Sequence, residues 1–146
     1  MKSVPGKYEY LEHTADAKFK AFGADLSELF ANAGLAAFNI ITDTSKVERK
    51  MKFPLRIKAK SRDAALFDFL DQLLFLLDTE GFLLSGFIDL RVTRNSDNTY
   101  LVTGDALGDY HKGYDVSCNV KAVTYSDMYV KLKPEGDWEC QVVVDL

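Results

Sequence analysis

Cysteine and proline are scarce in this chain of 146 residues, which contains two cysteines and three prolines. A disulfide scaffold uses more cysteines in a smaller chain. The two cysteines, Cys118 and Cys140, are also too far apart for the CxxC spacing of a zinc or thioredoxin-like site. Cys140 lies in an alternating apolar pattern, so we expect a small buried side chain there. The cysteines therefore indicate neither a disulfide framework nor a structural zinc centre.

The chain also lacks long apolar runs and an excess of positive charge. Its longest strongly apolar run, residues 73–77, is far short of the ~20 residues needed to span a bilayer. No apolar segment follows the lysine near the N-terminus, so we expect no secretory signal, no membrane contact and a cytoplasmic location. With 18 basic and 22 acidic residues the formal net charge is −4. This balance argues against a protein that holds nucleic acid by bulk positive charge.

What the chain does contain is a high apolar content, with 47% hydrophobic and 12% aromatic residues. We expect one core and a single domain over residues 1–146. Alternating apolar and polar residues predict strands. The predicted strands cover residues 16–22, 53–60, 87–94, 99–106, 120–125, 127–133 and 138–145. Together with two helical segments, they predict an α+β fold: a single layered domain with a mostly antiparallel or mixed β-sheet packed on two main α-helices.

Both predicted helices have recognisable start signals. The segment Asp25–Glu28 is an acidic variant of the capping box, and an apolar stripe at helical spacing follows it. The second helix begins at Ser61 or Asp63, runs to about Asp78 and is followed by a terminating Gly81. It is apolar on nearly all sides, so we expect it to lie centrally in the core.

The least regular stretch is residues 104–119, where glycines are interleaved with Asp, Tyr, His and Lys. We expect a loop here, and a loop of this length inside a compact domain is more often functional than idle. If the protein is a general chaperone-like interaction module, Tyr110 and Tyr114 of this loop are its contacts.

Polar candidates for a site occur at three points. His13 and Asp16 lie at the start of a predicted strand, where they favour either turn hydrogen bonds or a base and a cation ligand. Asp145 and Leu146 end the last strand; beside Asp16 they would supply hard oxygens for calcium or magnesium, whereas a solvated terminus is the simpler alternative. The sequence does not show that these segments are adjacent. Lys121 lies in a predicted strand, where a lysine is usually solvated.

Templates for nucleophilic catalysis are missing from the sequence. There is no GxSxG elbow, no SxxK and no glycine-rich phosphate loop. The two histidines are too few for a typical zinc hydrolase unless carboxylates supply the other ligands. A stand-alone metal-dependent phosphohydrolase that uses His13, Asp16 and Asp145 therefore stays open as an alternative.

Five segments closely resemble the archease family, in the same order and across essentially the whole chain. They are residues 8–17, 29–33, 70–76, 120–125 and 142–146. The EHTAD and VKAVTY motifs among them are specific as a pair. The chain departs from the family pattern at Ser126, where the family usually has histidine, and in a slightly longer stretch at 104–119.

The resemblance implies an accessory protein and not an enzyme. It implies activation of the tRNA-splicing RNA ligase, which joins RNA ends that carry a 3′-phosphate and a 5′-hydroxyl, by promoting guanylylation of the ligase and its multiple turnover. The ligase is the implied protein partner, and tRNA is reached indirectly. The resemblance also implies a divalent cation, commonly Ca²⁺ with Mg²⁺ or Mn²⁺ as alternatives, bound by Asp16, Asp145 and Leu146. It gives Lys121 a functional role, and His13 belongs to the same motif as Asp16.

Overall fold

The computed structural model describes residues 1–12 and 16–146. In this part of the chain, strands and helices follow one another from end to end. The strands are β1 (Tyr8–Leu11), β2 (Asp16–Gly23), β3 (Met51–Ala59), β4 (Phe82–Arg94), β5 (Tyr100–Tyr110), β6 (Ala122–Leu132) and β7 (Trp138–Asp145). The helices are α1 (Leu26–Ile41) and α2 (Arg62–Glu80), and a short 3₁₀ turn covers Thr44–Lys46.

The strands form two antiparallel sheets, and both helices pack between them. The four-stranded sheet has the order β1-β2-β7-β6, and the three-stranded sheet has the order β3-β5-β4. Helix α1 packs on β2 of the first sheet and β4 of the second, while α2 packs on β6 and on β3 and β5. Buried side chains from all these elements form one apolar cluster. The predicted α+β class, with two main helices and antiparallel strands, is confirmed.

The helix ends follow the signals in the sequence. The Asp25 carboxylate accepts a hydrogen bond from the Glu28 N–H at 2.8 Å, and the Glu28 carboxylate accepts one from the Ala24 N–H at 3.1 Å. Ser61 caps α2 through its hydroxyl oxygen. Gly81 ends α2 in the left-handed conformation, with φ at 64°, which a residue without Cβ adopts at little cost.

The prediction that α2 is buried on nearly all sides is wrong. Its buried face includes Leu66, Phe69, Leu70 and Leu73, but Phe75 is 55% exposed. The sheets cover the helix on two sides only, so one stripe at helical spacing faces solvent. That stripe consists of Asp68, Asp71, Phe75 and Asp78. Neither this helix nor any other in the described residues is long and apolar enough to cross a membrane.

The prediction of a loop over residues 104–119 is wrong for its first part. Strand β5 continues to Tyr110 and is paired with β3 and β4 along this length. The glycines that look like loop residues are sheet residues at points of close approach: a Cβ at Gly108 would overlap the carbonyl oxygen of Leu83. Only residues 111–121 connect β5 to β6.

Strand β6 also differs from the prediction of two separate strands. It is one strand whose pairing with β7 is interrupted between Thr124 and Tyr129. Asp127 has a positive φ of 53° in this interval, and Ser126 is exposed there. Strand β1, by contrast, was not predicted, because four residues are too few to establish an alternating pattern.

Candidate functional site

The first residue of β2 and the last residue of β7 lie directly opposite each other. The antiparallel register of these strands pairs Asp16 with Asp145, and the register of β6 with β7 pairs Ala122 with Asp145. These residues form one row across three strands, which we call the carboxylate row. The fold thus joins the two candidate segments whose adjacency the sequence does not show.

The alternation within each strand decides where the two carboxylates point. In β2, Ala17 and Phe19 are fully buried and face the helices; in β7, Val144 does the same. Asp16 and Asp145, each one residue further along, therefore lie on the opposite face of the sheet. Directly paired residues of antiparallel strands have Cβ atoms about 4.5–5.5 Å apart on one face. Both side chains consequently share one small area of surface.

Two further candidates adjoin the carboxylate row. The Lys121 N–H donates a hydrogen bond to the carbonyl oxygen of Asp145 at 2.8 Å, and the Lys121 residue is exposed. Leu146 follows Asp145 and packs partly buried against the core, so its main-chain oxygens come directly after the row. Four of the five candidates from the sequence thus lie at one end of the four-stranded sheet. The fifth, His13, lies outside the described residues.

A cation on the same face was not predicted from the sequence. Lys18 lies two positions beyond Asp16, and its ammonium nitrogen is 3.4 Å from a carboxylate oxygen of Asp127. Asp127 comes from the irregular interval of β6, so this ion pair joins β2 to β6 across β7. Alternation in β2 could have placed Lys18 on this face, but its partner depends on the irregular pairing of β6.

A second charged cluster lies further along this face. Glu139 is nearly buried; the Tyr129 hydroxyl donates to its carboxylate at 2.6 Å, and the Lys131 ammonium lies 3.5 Å away. Burial by itself would raise the pKa of Glu139. The Tyr129 hydrogen bond and the charges of Lys131 and Lys20 outweigh burial, so that the pKa is lowered below its ordinary value. This carboxylate is held in its ionised form.

The donor chemistry of the carboxylate row fits a hard divalent cation. Asp16 and Asp145 supply carboxylate oxygens and Leu146 supplies main-chain oxygens, which are the ligands that Ca²⁺ and Mg²⁺ prefer. Within residues 1–12 and 16–146, no group of three or more His, Cys, Asp or Glu side chains is placed to hold a metal ion. The described side chains therefore offer two carboxylates, and the remaining positions around such an ion fall to main-chain oxygens and water.

The tyrosines of the predicted loop are in different environments. Tyr110 is 49% exposed, and its ring lies beside that of His111 with centroids 4.5 Å apart. The Tyr114 hydroxyl donates to Asp109 at 2.6 Å and accepts from the Glu48 N–H at 3.1 Å. Tyr114 is thus engaged in internal hydrogen bonds, which leaves Tyr110 as the freer aromatic surface.

The cysteine prediction is confirmed for Cys140. This residue is fully buried, and burial raises the pKa of its thiol to about 12. A thiol that stays protonated at neutral pH is a poor nucleophile and a poor metal ligand. Cys118 is partly exposed and is likewise a free cysteine.

The fold and the carboxylate row define an α+β protein whose candidate chemistry lies at one end of a sheet. The archease protein family (MTH1598/TM1083) matches residues 8–146 of the chain. The chain is 41% identical over 140 residues to the protein named archease of Methanothermobacter thermautotrophicus, covering 95% of this chain and 98% of that protein. It is 37% identical over 150 residues to that of Methanosarcina barkeri, covering 100% of both.

A solved structure shares the fold. The solution structure of Methanobacterium thermoautotrophicum protein 1598 superposes with a TM-score of 0.81 at 36% sequence identity, covering 97% of this chain and 99% of that chain. The chain belongs to the archease family.

Proposed function

We propose that this protein is a cytoplasmic accessory protein that activates the tRNA-splicing RNA ligase, promoting guanylylation of the ligase and its multiple turnover. Membership of the archease family supports this role. The observation that carries the site is the register that sets Asp16 opposite Asp145, with Lys121 hydrogen bonded to Asp145. No nucleophile template accompanies these residues, which favours an activator over an enzyme.

In this proposal a divalent cation binds at the carboxylate row. Asp16, Asp145 and Leu146 would hold it through oxygen atoms, and Ca²⁺ fits this donor set, with Mg²⁺ and Mn²⁺ as alternatives. Such an ion would supply positive charge toward the phosphates of a nucleotide held by the ligase. His13, from the same motif as Asp16, is the remaining functional candidate.

The protein's own contribution is a rigid presentation of charge. Lys121 is exposed while its backbone is tied to the end of β7, so its ammonium group can reach a partner surface from a fixed base. An ammonium group pairs with phosphate oxygens as a point charge. Because Asp16 and Asp145 stand on paired strands and not on loops, the spacing of their backbones is fixed by the sheet.

The test measures ligase guanylylation and multiple-turnover joining of RNA ends with and without this protein. The variants Asp145→Asn and Lys121→Ala are expected to lose most of the stimulation, and a chelator is expected to reduce it for the unmodified protein. Glu135→Gln and Lys112→Ala change exposed residues of turns elsewhere and serve as matched controls that keep the stimulation.

Each part of the proposal has its own contradicting result. Absence of stimulation by the unmodified protein would refute the function. Full stimulation by both site variants would leave the function standing and refute the site. Turnover of phosphoesters by the isolated protein with Mg²⁺ or Mn²⁺ would instead favour the metal-dependent hydrolase.

A further inference from the structure

The outward face of the three-stranded sheet carries a concentration of positive charge. Along β3 the side chains of Lys52, Arg56 and Lys58 alternate with apolar residues that face the helices, and all three are exposed. Strand β4 adds Arg91, which is exposed on the same face. We call these four residues the basic face. In a chain with a formal net charge of −4, they form a locally cationic surface.

The register gives the basic face a defined geometry. Arg56 and Arg91 are both paired with Thr103 of the central strand, so the three residues form one row. With strands ~4.8 Å apart, the backbones of the two arginines are about 10 Å from each other with a hydroxyl between them. Guanidinium groups present planar forks of donors that match phosphate oxygens, and a threonine hydroxyl adds a further donor.

Among the described residues, three of the four cations of the basic face have no ion pair, unlike Lys18 and Lys131 of the other sheet. On the four-stranded sheet, Lys18 and Lys131 each have a carboxylate within 3.4–3.5 Å. Across residues 1–12 and 16–146, Lys52, Arg56 and Arg91 make no ion pair within 4.0 Å. Their charge is therefore available to an external anion.

Three carboxylates, Asp89, Asp97 and Asp105, lie beside the basic face and limit its potential. Asp105 lies in the central strand, paired with Pro54 and Ile88. Asp89 is exposed in the bulge of β4. Lys58 is 3.9 Å from Asp97 of the β4–β5 turn, a long and exposed pair that adds little. The positive charge is therefore local to Lys52, Arg56 and Arg91, which have no carboxylate partner in the part of the chain that the structure describes.

We propose that the basic face binds the phosphodiester backbone of folded RNA. The choice of RNA over another polyanion rests on the proposed function, whereas the charge and its geometry do not. The apolar positions on this face are Pro54, Ile88, Leu101 and Leu107, so the strands offer no aromatic ring on which an unpaired base could stack. Binding follows the backbone and not the sequence, with a dissociation constant in the range ~10⁻⁴–10⁻⁶ M expected of non-specific contacts.

The first experiment measures fluorescence anisotropy of a labelled RNA hairpin with a stem of about 16 base pairs, titrated with the isolated protein at several salt concentrations. The double variant Arg56→Gln/Arg91→Gln is expected to bind at least about tenfold more weakly in low salt. The slope of log K against log salt should become shallower by about 2, because each phosphate contact contributes about 0.9. All positions are exposed, so unchanged thermal unfolding is expected and is checked.

A matched double variant separates the face from overall charge. Lys7→Gln/Lys112→Gln removes the same two charges from exposed positions outside the basic face. It is expected to leave the affinity and the salt slope nearly unchanged. Equal weakening by both double variants would overturn the proposal, because it would show that net charge alone governs binding.

A gain of affinity provides an independent test. Asp105→Asn removes a carboxylate from the middle of the basic face and is expected to tighten RNA binding about three- to tenfold. An unchanged or weaker affinity would contradict the proposal. A preference for one hairpin sequence over another would also contradict it. Arginine-dependent binding to vesicles of anionic phospholipid, without binding to RNA, would contradict it as well and would assign the face to a membrane surface.

Failure here can be told apart from failure of the proposed function. RNA binding is measured without the ligase, and Asp145→Asn, which alters the carboxylate row, is expected to leave it intact. Arg56→Gln/Arg91→Gln is expected to leave ligase guanylylation intact, since that step precedes RNA joining. An affinity lost with Asp145→Asn and kept with the arginine variant would contradict the assignment to the basic face.

Discussion

Asp16, at the start of β2, and Asp145, at the end of β7, occupy directly opposite positions, with their side chains on the same face of the sheet. Like charges in this position repel each other. The core nonetheless imposes the pairing: a slip of one residue would turn the buried side chains of Phe19 and Val142 to the outer face. The hydrophobic core thus fixes the register that sets the two carboxylates side by side.

The substitution Asp145→Asn is expected to have opposite effects with and without a divalent cation. In the presence of a chelator it removes the repulsion and should raise the free energy of unfolding by about 0.2–1 kcal/mol. When calcium is at 100 times its dissociation constant, the free energy of unfolding of the unmodified protein should rise by about 2.7 kcal/mol. That of the variant should rise little. Thermal unfolding followed by circular dichroism checks both. Glu135→Gln is the control, and a variant that responds to calcium as the unmodified protein does would contradict the metal assignment.

The substitution Tyr129→Phe is expected to lower the free energy of unfolding by about 1–3 kcal/mol, because the nearly buried Glu139 carboxylate loses its closest hydrogen-bond donor. The lowered pKa of Glu139 contributes stability that is present above the ordinary carboxyl pKa and is lost as pH falls through the folded-state value. Without the tyrosine hydroxyl the folded-state pKa rises, so this contribution should be smaller and its loss should be complete at a higher pH. Urea unfolding between about pH 3 and pH 7 checks the shift. If Glu139→Gln leaves the acid dependence of stability unchanged, the assignment to Glu139 is wrong.

The substitution Asn39→Ala is expected to cost about 2–3 kcal/mol because it breaks a partly buried network. The Asn39 amide nitrogen lies 2.8 Å from the Tyr8 hydroxyl and 2.9 Å from both the Leu35 carbonyl and the Thr44 hydroxyl. The Asn39 amide oxygen accepts a hydrogen bond from the Thr44 N–H at 3.0 Å. Tyr8→Phe removes only one of these contacts and should cost less, about 0.5–1.5 kcal/mol. Denaturant unfolding ranks the two, and the reverse order would contradict the central position of Asn39.

The substitution Gly108→Ala is expected to destabilise the protein by about 3 kcal/mol or more. The added methyl group would overlap the backbone of β4 at Leu83, and backbone cannot move aside as a side chain can. Gly136→Ala has nothing within 4 Å of the new methyl group and is strained only by its φ of 97°, so about 1–2 kcal/mol is expected. Urea midpoints compare the two, and a similar cost for both would refute the close approach of β4 and β5.

Local signals in the sequence predicted the elements that depend on neighbouring residues. The caps at Asp25 and Ser61 and the terminating Gly81 lie where the sequence indicated, because each involves backbone groups within one or two turns. The alternation of β2 and β3 was equally readable. The exposed stripe of α2 was readable in part, because Asp68, Asp71 and Asp78 recur at helical spacing. The exposure of Phe75 within it was not, because an apolar residue by itself favours burial.

The sequence by itself determined the α+β class, the helix ends, the buried Cys140 and the residues that form the two motifs around Asp16 and Lys121. Only the tertiary structure brought Asp16 beside Asp145 and set Arg56 and Arg91 in one row. Both juxtapositions depend on which strands become neighbours in a sheet. That choice is made by the packing of distant apolar faces on two helices, and an alternating pattern within one strand carries no information about its partner.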